Sequence, residues 1–386
     1  MRSWLTALLI ISTVFAAGCL DAGEESEGLD RDYEIVEAAQ GLENPWGITF
    51  VDDSTALVTE SSGAIQLIDL DEEEKTGIGG VPEVDDSGQG GLLDVELHPE
   101  FSDNKWIYLT YSASNEEGST THLGRGELSL EEERLENFKV LHVAEPFKQG
   151  GRHYGSRILF DGEGYIYFTV GDRGEGDFGE DHVSQNTSNE LGSTLRLEDD
   201  GSVPDNNPFV NESGVKDSIY SYGHRNVQGM TVHPETGDIW QSEHGEEDGD
   251  EINILESGNY GWPITHTGCE YGTDEPVAED PQGNPDVHNP VYYWECNTGG
   301  FPPAGMTFYA GDVFQEWEGD LFVGNLAGQY LGHFEVDGTD VEEKEPLLDG
   351  QDWRVRDVEV EEEAGYVYVL VDGEDVPLVR LEPTTS

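Results

Sequence analysis

A short strand-like run, a polar turn rich in Gly, Asp or Pro, and a second run of alternating apolar or aromatic residues recur six times along this chain. The units occupy residues 46–70, 91–111, 156–171, 228–245, 304–336 and 355–381. Alternation is plainest in Tyr165-Ile166-Tyr167-Phe168-Thr169 and Tyr366-Val367-Tyr368-Val369, and a two-residue period is that of a strand. A unit this small cannot bury both faces alone, so neighbours must stack around an axis. Six units, spaced by roughly 45–70 residues, predict an all-β chain folded as a six-bladed β-propeller. A pair of β-sandwiches is the alternative, whereas a β-solenoid coil would need a shorter period. The 49 Gly and 17 Pro residues fit many turns and little long helix. Two long segments, 175–221 and 265–303, read as loops on one face, where function tends to gather.

Within 386 residues, 83 Asp and Glu stand against 18 Lys and Arg, a net charge of −65. The carboxylates are spread along the whole chain rather than gathered in a tail. An acidic coat on a foldable sequence suggests a halophilic protein, whose self-repulsion is screened by concentrated salt. Nucleic acid and anionic membrane surfaces would repel such a chain, so no nucleic-acid partner is expected. The same coat makes any single acidic cluster a weak signal.

The N-terminus reads as a targeting segment. Arg2 supplies a positive start, and residues 4–17 are largely apolar but short for a bilayer span. Ala16-Ala17-Gly18-Cys19 resembles a lipobox, with Cys19 the lipidated first residue of the mature chain. The alternative is an ordinary signal peptide with an incidental Cys. The expected organisation is a signal peptide over 1–18, an acidic tether over 19–32 and the propeller over 33–386. That places the protein outside the cytoplasm, with the membrane met only through the lipid on Cys19. Cys269 and Cys296 then remain, and in an exported chain a disulfide between them is the leading reading, with two free thiols the alternative. The sequons at Asn186 and Asn211 are compatible with export.

Several residues could carry chemistry. His153 lies just before a unit, and Asp172 lies at the far end of the same strand pair, 19 residues on. A hairpin returns its ends to one place, so Asp172 can hold one nitrogen of the imidazole and raise basicity at the other. Arg225-Asn226 precede the fourth unit. Arg354 and Arg356, two residues apart, put both guanidinium groups on one face by alternation. In a chain this poor in cations they call for either a bound anion or a structural carboxylate. Gln89, in Gly88-Gln89-Gly90-Gly91, sits where a loop can approach a ligand closely. Residues 243–251 (EHGEEDGDE) offer hard oxygen donors suited to Ca²⁺, though without EF-hand spacing.

Taken in order, GQGGLLDVELHPEFSDNKWIYLTYS, HYGSRILFDGEGYIYFTVGDRG, YGHRNVQGMTVHPETGDIWQSEHG, GNYGWP, GMTFYAGD and WRVRDV resemble the soluble quinoprotein glucose/sorbosone dehydrogenase family, also called aldose sugar dehydrogenases. The resemblance implies pyrroloquinoline quinone (PQQ) and Ca²⁺ on a six-bladed propeller. It makes His153 the base that takes the proton of the sugar C1 hydroxyl while hydride passes to C5 of the quinone, with Asp172 as its partner. It makes Arg225 the cation facing the quinone oxygen, and Gln89 and Asn226 cofactor contacts. Arg354 and Arg356 become the holders of PQQ carboxylates. Gly245 and Glu246 lend backbone carbonyls to the Ca²⁺, so the metal reads loop shape rather than the Glu246 side chain. An aldose is the implied substrate, and an external acceptor, a quinone or small redox carrier, must reoxidise the cofactor.

Some positions depart from the family pattern. Ala327 stands where a Lys contacting PQQ is expected. Arg152, before His153, replaces an Asp and is a candidate for restoring the lost charge. Gly300-Phe301-Pro302-Pro303 replaces an expected Trp-containing cofactor wall, and the Cys269/Cys296 region resembles an insertion that shapes substrate access. Two readings from other classes remain open. A Ca²⁺-dependent propeller lactonase or hydrolase would need no anion-holding Arg pair. A non-catalytic propeller that binds sugar or protein would not need His153.

Overall fold

The computed structural model describes residues 33–361 and 364–384. The signal segment, the lipobox with Cys19 and the acidic tether lie outside these residues.

Six antiparallel sheets form a ring. Blade 1 holds Pro45–Asp52, Thr55–Glu60, Ala64–Asp69 and Glu74–Ile78. Blade 2 holds Leu92–Leu97, Trp106–Ser114, Ser119–Ser129 and Arg134–Val143. Blade 3 holds Ile158–Phe160, Ile166–Val170, Ser193–Leu197 and Ile219–Tyr222, with Gly258–Asn259 added in parallel at its edge. Blade 4 holds Val227–Val232, Ile239–Glu243, Glu251–Ile254 and Tyr292–Tyr293. Blade 5 holds Pro303–Phe308, Leu321–Asn325, Tyr330–Asp337 and Asp340–Glu343. Blade 6 takes Val355–Val360, Val367–Val371 and Glu374–Pro383 from the end of the chain and Tyr33–Glu43 from its start. The first strand of each blade touches that of the next, and blade 6 touches blade 1, so the ring closes. The six-bladed propeller expected from the repeats is the fold.

The alternation that marked the strands also assigns the cores. In Ile166–Val170 every residue is buried. Ile166 and Phe168 pack toward blade 2, while Tyr167 packs toward blade 4. Val367 and Val369 face blade 5, and Tyr368 and Leu370 face blade 1. Two further clusters join blades 1 and 2 and blades 4 and 5. The hydrophobic core is thus six inter-blade layers. Each fully buried Phe, Leu or Val contributes about 1.5–3 kcal/mol, and only when its neighbour blade is present. The closing strand Tyr33–Glu43 matters for the same reason, since it completes blade 6.

The long segments were not simply loops. Residues 175–221 contain two strands of blade 3, Ser193–Leu197 and Ile219–Tyr222, and residues 265–303 contain the edge strand Tyr292–Tyr293. These strands are short and separated by acidic turns, so no alternation of useful length survives in the sequence. The disulfide expected in the second segment is formed between Cys269 and Cys296.

Candidate active site

The residues leading into the first strands of blades 2, 3, 4 and 6 meet at one end of the ring. His153 lies in the turn before blade 3 with φ 52°, a left-handed backbone that needs support from its surroundings. Three contacts supply it. The Gln89 side-chain oxygen accepts the His153 backbone N–H at 2.9 Å. The Gln89 backbone N–H donates to Gly151 at 2.7 Å. Asn226 Oδ1 accepts the Gly155 N–H at 3.1 Å. Gln89 and Asn226, expected as cofactor contacts, clamp the loop that carries His153. Gln89 itself is exposed, whereas Asn226 is buried.

The hairpin of blade 3 returns Asp172 to His153. His153 Nδ1 lies 2.7 Å from Asp172 Oδ1. Asp172 is fully buried and accepts two further bonds, from the Gly174 N–H at 2.7 Å and from Trp262 Nε1–H at 3.0 Å. Burial pushes its pKa up, but the bond and charge of His153, the charge of Arg225 and the Gly174 N–H together hold it below the ordinary carboxylate range. An ionised Asp172 has no proton to give, so His153 Nδ1 is the donor, which in the neutral ring leaves the lone pair at Nε2.

Arg225 stands opposite. Its backbone N–H donates to Glu243 Oε2 at 2.8 Å, its Nη2 pairs with Glu246 Oε2 at 2.6 Å, and its guanidinium lies 5.3 Å from the Trp262 ring centre. The Glu246 side chain, assigned no role in the sequence, is thus the partner of Arg225. Glu243 also accepts from His224 Nδ1 at 2.9 Å, and His224 Nε2 meets Ser221 Oγ at 2.8 Å. This Ser–His–Glu chain has the connectivity of a hydrolase triad. Ser221 is 0% and His224 1% exposed, and the His224 ring stacks on Tyr260 at 4.4 Å. No substrate can reach that serine, and the chain instead anchors Arg225.

Arg354 and Arg356 do share a face. Both reach Asp372 Oδ2, at 2.8 Å from Arg354 Nε and 3.5 Å from Arg356 Nη2. Burial raises the Asp372 pKa, but Arg356 and Arg354 more than offset this and hold it low. One carboxylate against two guanidinium groups leaves a positive excess. Between the cations lies His244, which the sequence reading missed. Burial first, then the charges of Arg225, His153 and Arg356, push its pKa well below the usual imidazole range. Its only sequence signal was its place directly before Gly245.

The loop after His244 is fixed by Asp250, which accepts Gly245 N–H at 2.9 Å and Phe301 N–H at 2.7 Å. A Cβ on Gly245 would overlap Asp248 O and the Gly249 backbone, so only glycine makes this turn. Among the described residues, no group of three or more His, Cys, Asp or Glu side chains is placed to hold a metal; backbone carbonyls are the donors this loop can offer. A space of about 10 Å³ beneath Arg225 and His244, walled by Trp262, Thr265 and His266, has room for one water. A far larger cavity, about 800 Å³, opens at the opposite ends of the inner strands between Phe50, Glu96, His98, Phe101 and Glu359, and shares no residue with the site.

In the segment that departs from the Trp-containing wall, Phe301 is fully buried and stacks on Trp294 at 4.3 Å, in the core between blades 4 and 5. Arg152 lies against Gly174 at blade 3, and near Ala327 the cation is Arg354, whose Nη1 donates to the carbonyl of Leu326 at 3.2 Å.

The residues present fit a large planar polyanion. Arg225 Nε and Arg356 Nε are buried without a hydrogen-bond partner, and three guanidinium groups have only two carboxylates between them. Buried donors left this way call for an acceptor.

Comparison with known proteins agrees with this geometry. A profile of the family described as glucose/sorbosone dehydrogenase matches residues 42–380. The chain is 35% identical over 346 residues to the aldose sugar dehydrogenase YliI of Escherichia coli K12, covering 89% of this chain and 91% of that one. It superposes on the apo form of the soluble aldose sugar dehydrogenase of E. coli with a TM-score of 0.85 at 34% identity, covering 91% of this chain and 100% of that one. With the PQQ-bound form of the aldose sugar dehydrogenase of Streptomyces coelicolor the TM-score is 0.73 at 26% identity, covering 91% and 98%.

Proposed function

Because the chain belongs to the glucose/sorbosone dehydrogenase family and is an oxidoreductase, we propose that it oxidises aldose sugars at C1 to lactones with PQQ as cofactor and Ca²⁺ beside it. The observation that carries this reading is the His153–Asp172 pair standing on the same rim as three under-neutralised guanidinium groups. Arg354, Arg356 and Arg225 would hold the cofactor's anionic groups, with Gln89 and Asn226 at its edge, and the carbonyls of Gly245 and Glu246 would hold Ca²⁺. Bound there, PQQ supplies a two-electron acceptor for the hydride leaving the sugar carbon.

The chain's own residues do the rest. His153 Nε2 takes the proton of the C1 hydroxyl, so a proton and a hydride leave the sugar and a lactone remains. Asp172 fixes the tautomer beforehand and stabilises the imidazolium that forms; a base placed in this way contributes about 10²–10⁴ in rate. Arg225, held by Glu243 and Glu246, offers positive charge where negative charge develops. His153 then passes its proton to solvent, and an external quinone or small redox carrier takes the electrons. Export and anchoring through a lipid on Cys19 would place this reaction outside the cytoplasm, and the acidic coat would suit it to concentrated salt.

The test is direct. Purified protein in concentrated salt is mixed with PQQ and Ca²⁺, and dye reduction is followed with a panel of aldoses. PQQ-dependent reduction that falls by two or more orders of magnitude in His153→Ala supports the reading. No PQQ binding at micromolar concentration, together with no aldose-dependent reduction, removes it.

A further inference from the structure

His182 is 2% exposed, and no step of the proposed reaction uses it. It follows Glu175, Asp177, Glu180 and Asp181 in the segment between two strands of blade 3. Those four carboxylates are partly or fully exposed, while the imidazole is buried. Its two nitrogens have different tasks. Nδ1 accepts the Ser184 N–H at 3.2 Å and so caps the short turn Val183–Gln185. A backbone N–H can only donate, so Nδ1 holds a lone pair and the neutral ring carries its proton on Nε2. Burial first lowers the pKa of this ring, against the opposing pull of Asp172 and Glu175, which agrees with a neutral ring. Nε2 is buried without a hydrogen-bond partner. The carboxylate oxygen it faces is Asp172 Oδ2, at 3.8 Å.

Asp172 has one place left for such a donor. An ionised carboxylate offers about four acceptor sites. Oδ1 takes His153 Nδ1–H and the Gly174 N–H, and Oδ2 takes Trp262 Nε1–H. The fourth site, on Oδ2, has no donor among the described residues. The Trp262 ring stands edge-on to His182, with centres 6.0 Å apart and planes at 85°, so the two rings that face Oδ2 hold each other. The gap of 3.8 Å exceeds a hydrogen bond, but catalytic bonds are often long before substrate binds and tighten in the complex. The charged groups around the pair are Arg225, which faces Asp172, and Lys148 with Glu175, an ion pair beside His182.

We propose that His182 is a positioning residue of this base, a neutral Nε2–H donor that takes the fourth acceptor site of Asp172 and holds the carboxylate in the plane His153 needs. What the oriented base then does rests on the oxidation of aldoses argued above. Turned about its Cβ–Cγ bond, Asp172 would break its bonds to His153 and Gly174 together, and on Oδ2 Trp262 alone would resist the turn. The tautomer also limits the role. With Nδ1 committed to Ser184, Nε2 has no lone pair, so no proton passes from Asp172 to His182. His182 orients and does not relay.

The test separates the two nitrogens. An Asn amide oxygen can accept the Ser184 N–H as Nδ1 does but falls short of Asp172, whereas a Gln amide can place an N–H where Nε2–H stands. Wild type is compared with His182→Asn and His182→Gln. Three readouts are taken: kcat and KM for an aldose, PQQ affinity from quenching of tryptophan fluorescence, and the Nδ1 proton resonance of His153 in the cofactor-free protein. His182→Asn should lower kcat about tenfold, the worth of one modest hydrogen bond to a charged group, with KM and PQQ affinity within threefold of wild type. The His153 resonance should shift or broaden in His182→Asn. His182→Gln should keep kcat within threefold and restore the resonance. An unchanged kcat and resonance in His182→Asn overturns the proposal. Equal losses in both variants overturn it too, assigning the ring to packing alone, and a loss in Gln but not in Asn makes His182 only the cap of its turn. If the resonance responds as expected while the wild type reduces no dye with any aldose, the positioning role stands and the dehydrogenase reading falls.

Discussion

Asp172→Asn tests the centre of the site. The carboxylate has two oxygens that accept from three donors, His153 Nδ1, the Gly174 N–H and Trp262 Nε1–H. An amide has one oxygen and an NH₂ that can only donate. If the oxygen faces His153 and Gly174, the NH₂ meets the Trp262 N–H at what was a 3.0 Å bond, and a buried donor goes unmet at a cost of about 1–3 kcal/mol. If the amide flips, its NH₂ faces His153 Nδ1, the ring takes the other tautomer and the lone pair at Nε2 is lost. Either way the charge that stabilises the forming imidazolium is gone, a charge-assisted bond worth about 1.5–3 kcal/mol. Together these effects predict a kcat about 10²–10⁴-fold lower, with KM and PQQ affinity near wild type because Asp172 is fully buried. Stopped-flow reduction by saturating aldose measures the step, and near-ultraviolet circular dichroism checks the fold. A kcat within threefold of wild type, in a folded variant, would refute the argument that an ionised Asp172 orients the base.

Further outcomes follow from the same structure. Arg356→Ala should weaken PQQ binding about 30- to 160-fold, measured by fluorescence quenching, since it removes a largely buried cation with an unpartnered Nε worth about 2–3 kcal/mol to an anion. Gly245→Ala should abolish Ca²⁺-dependent activation while the propeller still folds, because the added Cβ overlaps Asp248 O in one loop only; calcium titration of PQQ-dependent activity checks it. Glu359 has its pKa raised to about 8, by burial first and then by the Asp357 charge. A carboxyl whose folded pKa is raised binds its proton more tightly when folded, so its contribution is fully present below about pH 4.5 and is lost as pH rises toward 8. Glu359→Gln should therefore flatten the fall in melting temperature between pH 5 and 8. Finally, a net charge of −65 should make the melting temperature climb as NaCl rises from 0.1 to 2 M, because the screening length shortens from about 10 Å to under 3 Å; a flat curve would remove the halophilic reading.

The sequence disclosed the fold through alternation. Where a strand is long enough to show it, as in Tyr366-Val367-Tyr368-Val369, the same period sorts side chains between two neighbouring blades. Where the strand is short and lies among acidic turns, as in Ser193–Leu197, the pattern cannot be told from a loop. The closing strand Tyr33–Glu43 was missed for another reason: it pairs with Glu374–Pro383, and nothing local records a partner at the far end of the chain. His153, Asp172, Arg225, Arg354 and Arg356 stood out because cations and paired imidazoles are scarce here. Their partners did not. Glu243, Glu246 and Asp372 are three of 83 acidic residues, and in an acidic coat a functional carboxylate has no compositional contrast. What separates it is physical. Glu243 is 5% exposed, and Asp372 and Glu246 are partly buried, each against guanidinium, and a buried anion persists only when a cation and hydrogen bonds offset its lost hydration. The same logic explains Glu359, half-buried with no ion pair of its own among the described residues and pushed toward its neutral form. In a chain charged this heavily, burial and the choice of partner decide which carboxylates build the site and which only keep the surface wet.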